Sequence, residues 1–148
     1  TKSVEDLREI IESTKLPVIL KGIMTASGAR KALEAGAYGI VVSNHGGRVL
    51  DHTPATIEVL PEIVDAVKGK MKIFIDGGIR SGVDVFKAIA LGADAVLIGR
   101  PYAVMAYGGG ADAVQLYTDK IGNELKETMI VTGCSSLQEI NESCIYKV

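Results

Sequence analysis

Tryptophan is absent, aromatic residues make up 5% of the chain, and 148 residues contain two cysteines and four prolines. Cys134 and Cys144 stand ten positions apart with no CxxC motif and no nearby histidine pair. That spacing gives neither a zinc pattern nor a disulfide framework, so no metal is expected and both are read as free thiols in a reducing compartment. Long apolar runs are missing too. A bilayer span needs roughly 20 apolar residues, and Gly, Lys, Asp or Asn interrupts every stretch well before that, so no membrane partner is expected. Charge of one sign is also lacking: 16 Lys+Arg against 18 Asp+Glu leave a formal net charge of −2. This removes any general attraction for nucleic acid. The opening TKSVEDLREI has the look of a charged helix and not of a secretory signal. A first residue Thr1 in place of Met hints at a fragment.

What the chain does have is apolar weight and glycine. Hydrophobic residues reach 47%, mean hydropathy is +0.26, and there are 17 glycines. Four short apolar runs stand out: 17–21 (PVILK), 38–43 (YGIVVS), 72–76 (KIFID) and 94–99 (DAVLIG). Successive apolar positions predict strands buried on both faces. Between them the pattern predicts helices over about 3–13, 26–35, 55–68, 82–91 and 111–132, the last four closed by Gly36, Gly69, Gly92 and Gly133. Ser136 with Glu139 has capping-box spacing and predicts a last short helix. Length alone suggests one domain.

An internal repeat sharpens the architecture. Lys31–Ser43 and Lys87–Gly99 superpose at an offset of 56, each a helix, a Gly-Ala turn and a strand, and Lys21-Gly22 falls against Asp76-Gly77 at an offset of 55. Two βα-repeats of one plan point to an α/β chain built like a (β/α)8 TIM barrel, which closes with eight strands in about 250 residues. Four strands in 148 residues make a half barrel with a C-terminal helix. Such a half leaves unpaired edges and an uncovered face, which demands a partner.

In these barrels chemistry sits at the C-terminal ends of the strands. The first run ends on Lys21, where a cation can offset developing negative charge or simply reach solvent. The second runs into Ser43-Asn44-His45-Gly46-Gly47-Arg48, which puts a proton-moving imidazole three residues from a guanidinium suited to gripping a carboxylate. The third leads into Asp76-Gly77-Gly78-Ile79-Arg80, and the fourth ends at Gly99-Arg100. Glycine-rich strand-to-helix turns with arginine can cradle a phosphate, or can be ordinary turns before a helix. His52 lacks such a context and is read as a loop histidine, and Asp51 is read as a turn or helix-start residue.

Leu16-Pro-Val-Ile-Leu-Lys-Gly22, Gly39 to Arg48, Asp76 to Arg80 and Gly99-Arg-Pro101 closely resemble the FMN-dependent α-hydroxy-acid oxidase and dehydrogenase family, which includes lactate and glycolate oxidases. The likeness runs from about residue 16 to residue 145. It implies FMN as cofactor and oxidation of an L-2-hydroxy acid to the 2-keto acid, with His45 as catalytic base and Arg48 holding the substrate carboxylate. It further implies Lys21 beside the flavin, Ser43 near its ring, and a phosphate site of Gly78, Arg80, Gly99 and Arg100, with Asp76 and Gly77 neighbouring it. Residues 1–148 match only the second half of that barrel, strands five to eight. The resemblance therefore implies that the intact protein is the enzyme and that this chain alone is weakly active or inactive. The open half barrel calls for the other half or a second copy, as a homo-oligomer, and the free thiols in a reducing compartment with no secretory signal point to a cytoplasmic setting. Two readings compete: an inactive half-barrel fragment or assembly module, and another phosphate-binding barrel enzyme similar to IMP dehydrogenase.

Overall fold

A computed structural model describes residues 2–146. The chain divides into two compact units, Thr1–Gly77 and Gly78–Val148. The first unit runs α1 (Val4–Glu12), β1 (Ile19–Ile23), α2 (Ala26–Glu34), β2 (Gly39–Val42), α3 (Thr56–Val67) and β3 (Lys72–Ile75). β1 pairs with β2 and β2 with β3, both parallel, so that Ile19 faces Gly39 and Ile40 faces Ile73. Gly39 is required where it stands, because a Cβ there would lie 2.8 Å from the Lys72 carbonyl oxygen. Ile40, Val42 and Ile75 of the strands and Ala29, Leu60 and Ile63 of α2 and α3 are fully buried and form the core of this unit.

The second unit holds α4 (Gly82–Ala90), β4 (Ala95–Val96), α5 (Arg100–Thr132) and two single 3-10 turns, Leu137–Glu139 and Glu142–Cys144. Its core gathers Phe86, Ala90, Cys134 and Ile140. α4 opens on a capping box: the Ser81 hydroxyl accepts from the Asp84 N–H, and the Asp84 carboxylate accepts from the Ser81 N–H at 3.0 Å. This satisfies two of the donors that a helix start leaves unpaired. Gly82 packs against the backbone of α5, where a Cβ would meet the Leu125 nitrogen at 2.1 Å and the Ile121 oxygen at 2.5 Å.

The helix-turn-strand repeat is built twice from the same bonds. After α2, Gly36 takes φ 89° and Ala37 N–H reaches back to Ala32 O; after α4, Gly92 takes φ 99° and Ala93 N–H reaches back to Ala88 O. Both are Schellman-type endings that need a left-handed residue. The boundary between the units does not follow the repeat, however. The repeat would open its second copy at β3, whereas β3 belongs to the first unit because it pairs residue for residue with β2. Length had suggested one domain; the chain forms two units.

Five expectations change. β1 begins at Ile19 and runs to Ile23, past the predicted end at Lys21, because a bulge at Gly22 (φ 100°) lets Ile23 pair with Val42. Burial on both faces holds only for β2; β1 has no buried residue, β3 buries Ile73 and Ile75 only, and neither residue of β4 is buried. The run 94–99 gives a strand of two residues, because Gly99 (φ −98°, ψ −84°) already turns the chain into α5. α5 itself starts at Arg100, well before the predicted residue 111; it is broken at Gly109 and Gly110 (φ 60°, ψ −146°), so the predicted stretch is its second segment. Residues 137–139 form one 3-10 turn in which the Ser136 side chain makes no cap hydrogen bond, and the Glu139 carboxylate accepts from the Ser135 N–H at 2.7 Å and the Ser135 hydroxyl at 3.1 Å.

Candidate active site

In the first unit the ends of the three strands converge on one ammonium group. The Lys21 Nζ donates to Ser43 Oγ at 2.7 Å and pairs with Asp76 Oδ2 at 2.8 Å. Lys21 is in the middle of β1, not at its end, and the bulge directly after it is what allows a lysine there without burying its charge. Its side chain keeps 43% of its exposure and one of its three donors. Ser43, just beyond β2, is 1% exposed and also accepts the His45 N–H at 3.2 Å. Ser43 Oγ thus accepts from both the Lys21 ammonium and the His45 backbone.

Asp76 continues β3 by one residue: its N–H bonds Val42 O at 3.1 Å, and its carbonyl accepts from the Thr56 hydroxyl at 2.6 Å. Its second carboxylate oxygen, Oδ1, is buried with no partner among the described residues. An unpaired buried carboxylate oxygen is costly, and natural proteins keep one chiefly where a ligand or water answers it.

The loop after Ser43 is wound tightly. His45, Gly46 and Gly47 take φ 56°, 69° and 72°, three left-handed residues in succession. For the histidine that costs about 1–2 kcal/mol, and the turn repays it with bonds: Gly46 N–H to Asn44 Oδ1 at 3.1 Å and Gly47 N–H to Asn44 O at 3.0 Å. The imidazole passes over Gly22, where a Cβ would stand 3.1 Å from His45 Cε1. Arg48 donates through Nε to His45 O at 3.3 Å, which leaves the rest of its guanidinium fork exposed. His45 and Arg48 thus sit on one turn and both are open to solvent, as a proton acceptor and an anion clamp must be.

In the second unit, Gly78 (φ 79°) and Gly99 have nothing within 4 Å of where a Cβ would lie. Arg80 and Arg100 are exposed, and among the described residues neither guanidinium has an ion-pair partner. The Arg80 backbone is held from both sides, its N–H by Asp84 Oδ2 at 3.0 Å and its carbonyl by the Tyr117 hydroxyl at 2.9 Å. The Tyr117 ring packs edge-on against Tyr102 with centroids 5.1 Å apart. Burial raises the Tyr117 phenol above its ordinary range, the nearby Lys120 only partly opposing it, so the hydroxyl stays a donor. Asp84 shifts the other way: burial disfavours its charge, but bonds from the Ser81 hydroxyl and the Arg80 and Ser81 backbone outweigh that and hold it below the usual carboxylate range.

Of the residues singled out from the sequence, Lys21, Ser43, His45, Arg48, Asp76 and Gly77 lie together in the first unit, and Gly78, Arg80, Gly99 and Arg100 in the second. His52 and Asp51 form an exposed pair at 3.7 Å in the loop, as read. Sequence reasoning missed Gly22, Asn44, Thr56 and Tyr117. A lone glycine inside an apolar strand was a visible signal for Gly22; the others act through contacts distant in sequence. No group of three or more metal-ligating side chains occurs among the described residues, and no helix among them is long and apolar enough to cross a membrane.

Comparison with known proteins places this geometry. The family model described as FMN-dependent dehydrogenase matches residues 1–147. A peroxisomal (S)-2-hydroxyacid oxidase of Arabidopsis thaliana is 51% identical over 96% of this chain and 38% of its own length. An L-lactate oxidase of Lactobacillus jensenii is 48% identical over 97% and 35%, respectively. Among solved structures, a mandelate oxidase with 3,3-difluoro-2-hydroxy-3-phenylpropionic acid superposes with a TM-score of 0.91 at 46% identity, over 95% of this chain and 43% of the other. The half-barrel α/β fold stands on that superposition. The chain spans well under half the length of these curated relatives. The expected cytoplasmic setting is overturned, because two plant relatives at 51% and 50% identity are peroxisomal by name.

Proposed function

Because the chain belongs to the FMN-dependent dehydrogenase family, we propose that it is the C-terminal half of a (β/α)8 barrel that oxidises an L-2-hydroxy acid to the 2-keto acid. The match over residues 1–147 sets aside the reading as an enzyme similar to IMP dehydrogenase. The residues fit FMN on two observations. The first is the cluster of Lys21, Ser43 and Asp76, with one ammonium donor and one buried carboxylate oxygen unanswered. The second is the open space at Gly78 and Gly99 beside two uncommitted arginines.

FMN, when bound, supplies the acceptor for the two electrons that leave the substrate. Lys21, Ser43 and Asp76 would hold its ring and Gly78, Arg80, Gly99 and Arg100 would hold its phosphate, with Gly77 next to Asp76 in sequence. Arg48 binds the substrate carboxylate through the donors that its bond to His45 O leaves free. His45 takes a proton from the substrate at an imidazole nitrogen. Lys21, fixed by two partners, keeps positive charge in place without reorganising during the reaction. The single observation that carries this reading is the Lys21 ammonium bridging Ser43 Oγ and Asp76 Oδ2.

A second reading, a half-barrel module that assembles with another half or a second copy as a homo-oligomer, is favoured by apolar side chains left open in the first unit, Leu16 at 74% and Ile19 at 42% exposure. The two readings are compatible: ring and phosphate contacts reside here, while full turnover needs more barrel. The test is to titrate the purified chain with FMN by flavin fluorescence and then to follow oxidation of L-lactate and glycolate, with size exclusion alongside. FMN binding with weak turnover is the expected result. A chain that binds no FMN in any oligomeric state overturns the cofactor assignment, and turnover matching that of a full-length relative overturns the incomplete-site assignment.

A further inference from the structure

The flavin chemistry leaves two nucleophilic side chains unused, and the fold brings them together. Cys134 follows Gly133 (φ 77°) at the end of α5, its N–H bonded to Met129 O at 2.8 Å. It is 8% exposed, in the cluster with Phe86, Ala90 and Ile140. Cys144 closes the 3-10 turn Glu142–Cys144, is half-buried, and packs against the same cluster. The two Sγ atoms are 3.6 Å apart. Ten residues of separation gave no sign of this in the sequence; the turn at Gly133 and the returning tail create it.

We propose that Cys134 and Cys144 are a redox modification site, a dithiol that hydrogen peroxide converts to an intramolecular disulfide. A disulfide needs its sulfurs about 2.05 Å apart. The remaining approach falls to the segment between them, which is largely exposed and has one 3-10 turn as its only regular structure before Cys144's own. The reaction balances in two steps. The Cys144 thiol gives up its proton, the thiolate sulfur attacks one peroxide oxygen, the O–O bond breaks, and the departing hydroxide takes up that proton, leaving a sulfenic acid and one water. The Cys134 sulfur then attacks the Cys144 sulfur, its proton leaves with the departing hydroxyl as a second water, and the S–S bond forms. In sum, two thiols and one hydrogen peroxide give one disulfide and two waters, with two electrons passing from sulfur to oxygen.

The asymmetry of the pair fixes this order. Cys144 is the more accessible. The Asn141 backbone hydrogen bond, joined by those from Cys134 and Ser143 and opposed by burial, holds its thiol below the ordinary range. At Cys134 the Thr132 hydroxyl favours the thiolate, but burial and the neighbouring Cys144 outweigh it and hold that thiol high. A low, accessible thiol reacts first and a close second one resolves it. The bond ties the tail to the end of α5, over Phe86 and Ala90 of α4.

The experiment uses the full chain, reduced, freed of reductant and exposed to hydrogen peroxide, with remaining thiols alkylated before intact-mass and peptide analysis. The expected result is simultaneous loss of both thiols, a mass lower by two hydrogens, a peptide linking Cys134 to Cys144, and full reversal by dithiothreitol. In Cys144→Ser, loss of the remaining thiol is expected to slow by about tenfold or more, since Cys134 is only 8% exposed and has lost its partner sulfur. Oxygen adducts without a cross-link, a disulfide between chains, or two thiols that survive peroxide able to oxidise free cysteine would each overturn the proposal.

Discussion

In the first unit the polar groups at the strand ends are tied to one another, Lys21 to Ser43 and Asp76, Ser43 to the His45 backbone, and the Asp76 carbonyl to Thr56. In the second unit Arg80 and Arg100 stand exposed, and the space at Gly78 and Gly99 is open. The same chain thus treats charge in two ways. A group with internal partners contributes to folding as well as to chemistry, so removing it leaves its partners unsatisfied. A group without them contributes little to stability and is free to answer a ligand. The comparison predicts that substitutions in the first set cost stability, whereas the arginines of the second set cost binding alone.

The largest expected effect attacks the scaffold under the second set. Gly82→Val would drive a Cβ into the α5 backbone at Leu125 and Ile121, atoms that cannot turn aside as a side chain can. A loss of about 3 kcal/mol or more is expected, at the upper end of overpacking costs. The midpoint of urea unfolding measures it. A midpoint that does not move would show that α4 does not rest on α5 as described, and the contrast between firm scaffold and open arginines would fail.

Thr56→Val tests the first unit directly. The replacement keeps shape but deletes the hydroxyl that donates to Asp76 O at 2.6 Å from a 2% exposed position. Leaving this part-buried carbonyl without its partner costs about 1–3 kcal/mol. The same denaturation experiment reads it, and a stability equal to the unmodified chain would mean that the cluster is not internally supported.

A smaller effect is expected at the cap of α4, where pH gives the sign. The Asp84 carboxyl titrates below its unfolded value, so its contribution is fully present above that value and is lost as pH falls through the folded one. Asp84→Ala is expected to cost about 1 kcal/mol at neutral pH, with the difference from the unmodified chain fading under acid. Paired unfolding curves at neutral and acidic pH check this. A difference that persists unchanged in acid would place the effect in packing instead of charge.

How far the sequence disclosed all this varies with the range of the interaction. The ends of α2 and α4 were legible because Gly36 and Gly92 encode their turns locally. The second segment of α5 was legible because Gly109 and Gly110 interrupt the helix where the pattern begins. The helical stretch from Arg100 was not, since residues 101–110 include Pro101 and Gly108 to Gly110 and were assigned to no element. Lys21 was recognised as chemically pointed but misplaced, because the Gly22 bulge lengthens β1 beyond it. His45 and Arg48 were visible as a pair, yet the packing of the imidazole over Gly22 joins the loop after β2 to β1 and left no mark in spacing. The adjacency of Cys134 and Cys144 was likewise invisible until the tail returned on α5.

The smallest stability effect carries the sharpest test. Arg80→Gln and Arg100→Gln remove charges that are exposed and lack an internal ion-pair partner, so each is expected to change unfolding free energy by no more than about 0.5 kcal/mol. A charge-assisted bond to phosphate is worth about 1.5–3 kcal/mol, so each substitution is expected to weaken FMN binding by about tenfold or more. Riboflavin has the same ring without the phosphate, and its affinity is expected to stay level in both variants. Fluorescence titration with the two flavins therefore separates the sets: Thr56→Val acts on stability, the arginine variants act on FMN alone. If riboflavin weakened in step with FMN, the arginines would be acting on the ring or on the fold, and the division between a self-supporting cluster and an uncommitted phosphate cradle would be lost.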